Sequence, residues 1–206
     1  MLKNFYWYFE SALTDKWCDS VIKFAESKEN NYGLISGVSK KGKQIDYKKL
    51  DDKAKKKLFK KRKSKVAWLD EPWVYNEVSK FVKTANQNAG WNFILKGVEY
   101  AQFTTYGLKD YYGWHSDTLS SSFENDHMRK LSVTVSLTDP KEYKGGELEF
   151  DFRDGEPNKK SYVTCKEILP RGSIVVFPSY IWHRVKPVTK GQRQSLVMWF
   201  SGPNFV

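Results

Sequence analysis

Apolar and polar positions recur along this chain with two different periods. In the first ninety residues the spacing is helical. Trp17, Cys18, Val21, Ile22, Phe24 and Ala25 mark one face of a helix that begins at Thr14 or Asp15 and ends near Ser27 to Asn31. Trp73, Val74, Val78, Phe81, Val82 and Ala85 mark the buried stripe of a second helix. Asp70-Glu71-Pro72 opens it and Asn88-Ala89-Gly90 closes it. Around these, the aromatic residues 5–10 read as an extended edge strand and 33–45 as a Gly/Ser/Lys loop. Residues 49–62 read as a surface helix, polar nearly all round, and 64–69 as a short apolar strand.

From Trp91 the period changes to two. Phe93 to Leu95 and Val98 to Phe103 are expected strands. Leu131 to Leu137 alternates without a break, one face apolar and the other carrying hydroxyls. Further strands are expected at 147–152, 162–168, 173–177 and 194–200. Turn signals at Asp139-Pro140, Gly145-Gly146 and Leu169 to Gly172 separate them. Seven or eight short strands with such punctuation predict a mainly β chain with flanking helices, its core a jelly-roll-like double sheet. The expected organisation is one domain over 1–206: a helical support region, 1–90, and a jelly-roll core, 91–206.

Composition adds three constraints. Hydrophobic residues make up 40% of the 206 and aromatics 16%, enough for a substantial core. No apolar run is long enough to span a membrane, and the first residues lack the pattern of a signal peptide. The two cysteines, Cys18 and Cys165, read as unpaired buried thiols, so a reducing cytoplasm is the expected location. The net charge of +11 is concentrated: Lys40 to Lys65 holds 14 Lys/Arg against 3 Asp/Glu, and the rest of the chain balances. That segment is either an electrostatic patch for nucleic acid, a ribosomal surface or an acidic substrate, or a solvated lysine-rich arm. Only Tyr47 and Phe59 within it could stack on bases, which favours the arm.

The chemistry concentrates in Trp114-His115-Ser116-Asp117. His-x-Asp places an imidazole and a carboxylate at i and i+2, on one face of an extended strand, where both can grip one metal ion. His183, 66 residues past Asp117, is the candidate third ligand. Two His and one carboxylate leave positions open for reactants, the arrangement of non-haem Fe(II) oxygenases. A catalytic zinc is the alternative; a structural zinc is disfavoured because the motif has no thiolate. The third histidine, His127, falls in a polar stretch and reads as exposed and uninvolved. Arg193 opens the strand ten residues after His183, and Ser195 points the same way at i+2.

These residues carry a resemblance. Phe177-Pro178-Ser179, His183-x-Val185-x-Pro187-Val188-x-x-Gly191-x-Arg193-x-Ser195, and Tyr143-x-Gly145-Gly146-Glu147-Leu148 are similar to the prolyl-4-hydroxylase-like branch of the 2-oxoglutarate/Fe(II) dioxygenases, and most of all to the PKHD-type hydroxylases. The resemblance covers roughly 100–200. It implies a double-stranded β-helix and Fe(II) held by His115, Asp117 and His183. It also implies 2-oxoglutarate anchored by Arg193 with Ser195 and Tyr106, and ascorbate as a reductant. The implied reaction is that of a procollagen-proline 4-dioxygenase-like hydroxylase, acting on a protein or peptide with succinate and CO2 as co-products. Arg129, Trp199 and Tyr112 stand near positions that face the peptide in the resembled enzymes. The pattern Tyr-x-x-Gly-x-x-Tyr-x-x-His-x-Asp is matched by Tyr106, Tyr112, His115 and Asp117, but Lys109 replaces the glycine, so the turn before the metal strand is expected to differ. Ser136 stands where animal prolyl hydroxylases have a second tyrosine. Residues 118–128, long and polar for a hairpin, read as a lid over the substrate or as a loose loop. Two rival readings remain: a nucleic-acid-directed oxygenase or demethylase, and a non-catalytic binding module using 40–65.

Overall fold

The computed structural model describes residues 3–28, 31–32, 51–118, 127–153 and 162–204. Residues 33–50, including Tyr47 and the first part of the basic segment, lie outside them, as do 119–126 of the span read as a lid. In chain order the elements are β1 (Trp7–Phe9), α1 (Asp15–Glu26), β2 (Asn31–Tyr32), α2 (Asp52–Phe59), β3 (Arg62–Lys63), β4 (Lys65–Leu69) and α3 (Pro72–Asn88). Then come β5 (Gly97–Val98), β6 (Ala101–Tyr106), β7 (Tyr111–His115), β8 (His127–Ser136), β9 (Lys144–Gly145), β10 (Leu148–Asp151) and β11 (Val163–Thr164). The chain closes with β12 (Ile174–Pro178), β13 (Trp182–Val185), β14 (Val188–Lys190) and β15 (Arg193–Pro203).

Two antiparallel sheets face each other, as expected for a jelly roll. The larger runs β1-β12-β8-β15-β6-β4-β2, with β5 beside the end of β15; the smaller runs β11-β10-β13-β7-β3. Period-two alternation gives the large sheet two unlike faces. Leu131, Val133, Val135, Phe103, Leu196 and Met198 point outward into one core with Val21, Val74, Val78 and Val82 of the helices. Thr14 caps α1 by accepting from the Trp17 amide, and Pro72 opens α3. The opposite face turns inward. Its apolar half, with Val175 and Phe177, packs on Leu148, Phe150 and Val185 of the small sheet. Its other half is polar: Ser132, Thr134 and Ser136 of β8, Ser195 of β15 and Thr104 of β6 are all buried. The hydroxyl face legible at 131–137 thus lines the interior rather than solvent.

Several expectations are corrected. Residues 93–95 form no strand. Asn86 donates to the Phe93 carbonyl and accepts from the Phe93 amide, so a side chain satisfies this backbone in place of a ladder. The strand expected at 98–103 is split, with Val98 ending β5 and β6 running from Ala101 on to Tyr106, and that at 162–168 shrinks to Val163–Thr164. Trp73 is 37% exposed; it packs edge-on against Trp17 and Phe24 across the outer helical surface. His127 is half-buried and opens β8 opposite Pro203, not in a loop. Cys18 and Cys165 are free and buried, as expected. Among the described residues no helix is long and apolar enough to cross a membrane.

Candidate active site

The small sheet assembles the metal ligands. β7 and β13 pair antiparallel with His115 directly opposite His183, and β7 ends there. Asp117 therefore lies just past the strand rather than on it. Its amide, 2.8 Å from the Ser179 carbonyl, is fixed by the turn after β12. His115 Nε2 lies 3.6 Å from Asp117 Oδ1 and His183 Nε2 3.5 Å from Oδ2. One ligand atom from each of the three residues falls within 4.8 Å of the others.

The surroundings fit this set to a metal. His115 Nδ1 is 2.8 Å from the Gly113 carbonyl and His183 Nδ1 2.9 Å from the Ile181 carbonyl. A carbonyl only accepts, so each Nδ1 carries a proton, and Nε2 is the ring nitrogen each histidine turns toward Asp117. Ser132 Oγ donates to Asp117 Oδ2 at 2.7 Å and pairs with Ser179 Oγ at 3.0 Å. Burial, reinforced by His183, lowers the His115 imidazole to about 3. Burial alone would raise the Asp117 carboxyl, but His183, His115, Arg129 and the Ser132 hydrogen bond together hold it below the ordinary carboxylate range. The result is a neutral nitrogen donor beside an ionised oxygen donor, the state a divalent cation requires. Nitrogen, nitrogen and carboxylate oxygen without thiolate suit Fe(II).

The triad opens into a cavity of about 310 Å³ between the sheets, within the range of small-molecule sites. Arg193 lines it, only 3% exposed, with Nη1 3.2 Å from Ser195 Oγ and the guanidinium 5.6 Å from the Tyr106 ring centre. β15 pairs Arg193 with Tyr106 of β6 and Ser195 with Ser136 of β8, so the sequence-predicted cosubstrate residues meet on adjacent strands. Burial raises the Tyr106 phenol, which stays a neutral donor. The glycine pair before Glu147 has a role here. Gly146 adopts φ 69, and a Cβ there would stand 2.9 Å from Arg193 Cδ and 3.1 Å from Val188 Cγ2.

Tyr112 stacks face to face on His115, ring centres 3.5 Å apart, and burial raises its phenol to about 12. Arg129 stands third in β8. Glu99 accepts from its Nε at 2.6 Å, and its guanidinium sits 4.0 Å above the Trp199 ring. Trp68, half exposed, packs 6.2 Å from Trp199 on the same wall.

Sequence reasoning missed Ser132, Ser179 and Arg62. The first two belong to the hydroxyl face and the Phe-Pro-Ser motif, which were the available signals. Arg62 was counted in the basic arm. Instead it is 4% exposed and lines the cavity, because β3 pairs it with Tyr112 of β7. The signal was that it is the only arginine among the lysines of that segment.

Comparison with known proteins agrees with this geometry. The family model for the 2OG-Fe(II) oxygenase superfamily matches residues 101–201. A PKHD-type hydroxylase of Synechococcus sp. (strain CC9902) is 40% identical over 91 residues, 44% of this chain and 36% of that protein. One of Klebsiella pneumoniae is 37% identical over 99 residues, 47% of this chain and 41% of that protein. The chain thus matches less than half the length of these two relatives. Among solved structures, a Pseudomonas putida prolyl-4-hydroxylase superposes with TM-score 0.66 at 18% identity, covering 96% of this chain and 93% of that one. The viral collagen prolyl hydroxylase of Paramecium Bursaria Chlorella virus-1, in its 2OG complex, gives 0.64 at 20%, covering 97% of each. A Trichoplax adhaerens prolyl hydroxylase in complex with a hypoxia inducible factor peptide fragment gives 0.61 at 16%, covering 96% of this chain and 84% of that one. At such identities the likeness carries the fold alone; the sequence match, on a strand framework that brings two histidines and an aspartate together, marks residues 101–201 as a region of the 2OG-Fe(II) oxygenase superfamily.

Proposed function

We infer that this protein is an Fe(II)- and 2-oxoglutarate-dependent dioxygenase that hydroxylates a protein or peptide, at a prolyl residue, with succinate and CO2 as co-products. The observation that carries the reading is Arg193: a buried guanidinium with no acidic partner among the described residues, in the same cavity as the triad. His115, Asp117 and His183 would hold the iron, which supplies the activation of dioxygen. Arg193 and Ser195 would hold the far carboxylate of 2-oxoglutarate; a planar guanidinium suits a carboxylate through two parallel hydrogen bonds. Tyr106 offers a neutral hydroxyl on the same wall. Ser132 and Ser179 keep Asp117 oriented, and the apolar wall of Leu148, Val185 and Val197 keeps water from the reacting carbon.

Peptide specificity is supported by the cavity mouth, where half-exposed Trp68 meets Trp199 and Arg129. One structural relative is itself in complex with a peptide fragment. Ascorbate would serve as the external reductant. In an anaerobic titration, Fe(II) followed by 2-oxoglutarate should give the visible charge-transfer band of a keto-acid chelate. His183→Ala should abolish the band, and Arg193→Ala should shift its midpoint roughly 10- to 100-fold, the worth of charge-assisted hydrogen bonds. No band in the wild type would overturn the reading.

A further inference from the structure

The chain has six arginines. Four are ion-paired: Arg129 with Glu99, Arg153 with Asp151, Arg171 with Asp15 and Asp19, and Arg184 with Glu149. The other two, Arg62 and Arg193, have no acidic partner among the described residues, and they are the two most buried, at 4% and 3% exposed. Both line the same cavity. A buried guanidinium without a counter-charge is costly, so it marks a place where an anion belongs.

Arg62 is only partly satisfied. Its Nε donates to Ser64 Oγ at 2.8 Å and Nη1 reaches Gln102 Oε1 at 3.5 Å, while Nη2 is buried with no partner. Of its five N–H groups, three remain, spread over Nη1 and Nη2, the end-on fork that grips a carboxylate. The guanidinium is held 4.5 Å over the Tyr112 ring, which stacks on His115, so the fork is anchored one ring from a metal ligand. Trp199 Nε1, on the wall of the same cavity, is also a buried donor without an acceptor.

Charge identifies the missing anion. On the dioxygenase reading, the divalent ion, Asp117, Arg193 and a dianionic 2-oxoglutarate neutralise one another. Both ends of the cosubstrate are then engaged, and Arg62 is the charge left over. We propose that Arg62 binds a carboxylate of the primary substrate, so that the enzyme selects molecules with an anionic group beside the carbon it hydroxylates: a C-terminal or free proline, or a prolyl peptide with a neighbouring acidic side chain. This rests on the dioxygenase reading.

The test is a calorimetric titration under argon of the protein loaded with Fe(II) and 2-oxoglutarate, using paired probes. These are N-acetylproline against its amide, and short acetylated prolyl peptides with Glu against Gln beside the proline or with a free against an amidated C-terminus. In the wild type at least one acid should bind roughly 10- to 100-fold more tightly than its neutral twin. Arg62→Met should erase that preference and Arg62→Lys keep part of it, with the keto-acid band titrating at an unchanged 2-oxoglutarate concentration in both. The proposal is overturned if no acid is preferred, or if the preference survives in Arg62→Met. It is also overturned if Arg62→Met weakens 2-oxoglutarate itself, which would assign the fork to the cosubstrate. Absence of the band in the wild type sinks the dioxygenase reading instead, and the acid–amide comparison then decides Arg62 alone. A merely structural Arg62 would lower the Tm on substitution and leave the preference untouched.

Discussion

Lys109 sits at φ 63, the left-handed conformation that glycine adopts readily and a side chain with a Cβ resists. It occupies the position where the resembled pattern has glycine, so the departure from the pattern is absorbed here as backbone strain. The turn is held in place regardless: the Lys109 amide donates to the Val188 carbonyl at 2.8 Å, and Asp110 Oδ2 accepts from the Gly107 amide at 2.9 Å. Lys109→Gly should raise stability by about 1 kcal/mol, seen as a higher Tm, without moving metal affinity. Ser132→Ala removes a hydroxyl that donates to Asp117 and should weaken metal binding roughly 10- to 100-fold in a competition titration with a chromophoric chelator. Gly146→Ala should act in the opposite place: its Cβ meets the Arg193 stem, so the 2-oxoglutarate midpoint rises while metal affinity holds. His115 gives a pH test. Its lowered value means that the folded metal-free protein resists a proton that the unfolded chain accepts below about 6.5. This contribution to stability is therefore complete above that pH and declines as pH falls toward 3. In proton NMR of the metal-free protein, the His115 ring signals should stay put between pH 8 and 5.

At the scale of elements, period and spacing exposed α1, α3 and the hydroxyl face of β8, because each buries one whole side of a regular structure. They failed at 93–95. Those residues look like a strand, but Asn86 binds the Phe93 amide and carbonyl, and no periodicity records a side chain standing in for a ladder. Asn86→Ala removes both of these hydrogen bonds and should cost about 2 kcal/mol, measured by urea unfolding. The metal ligands were legible because two of only three histidines fell in an i, i+2 and distant-strand pattern. Arg62 was not legible in the same way. Its charge counted with its neighbours, and only the pairing of β3 with β7 shows that it turns inward.

Across the whole molecule, the large sheet separates two kinds of interior. Its outer face joins the helices through aliphatic contact, and its inner face gives way from Val175 and Phe177 to serines, threonines and the Arg193 guanidinium, with Arg62 of the small sheet lining the same cavity. Stability and chemistry therefore draw on opposite sides of the same strands. The direct pairing of His115 with His183 has one more consequence. An ion between them would clasp two strands that lie far apart in the chain, a bond the unfolded chain offers only after closing that long loop. Each cation should then raise the melting temperature in step with its affinity, so the heat resistance of the protein becomes a ranking of the ions it prefers, readable before any substrate is known.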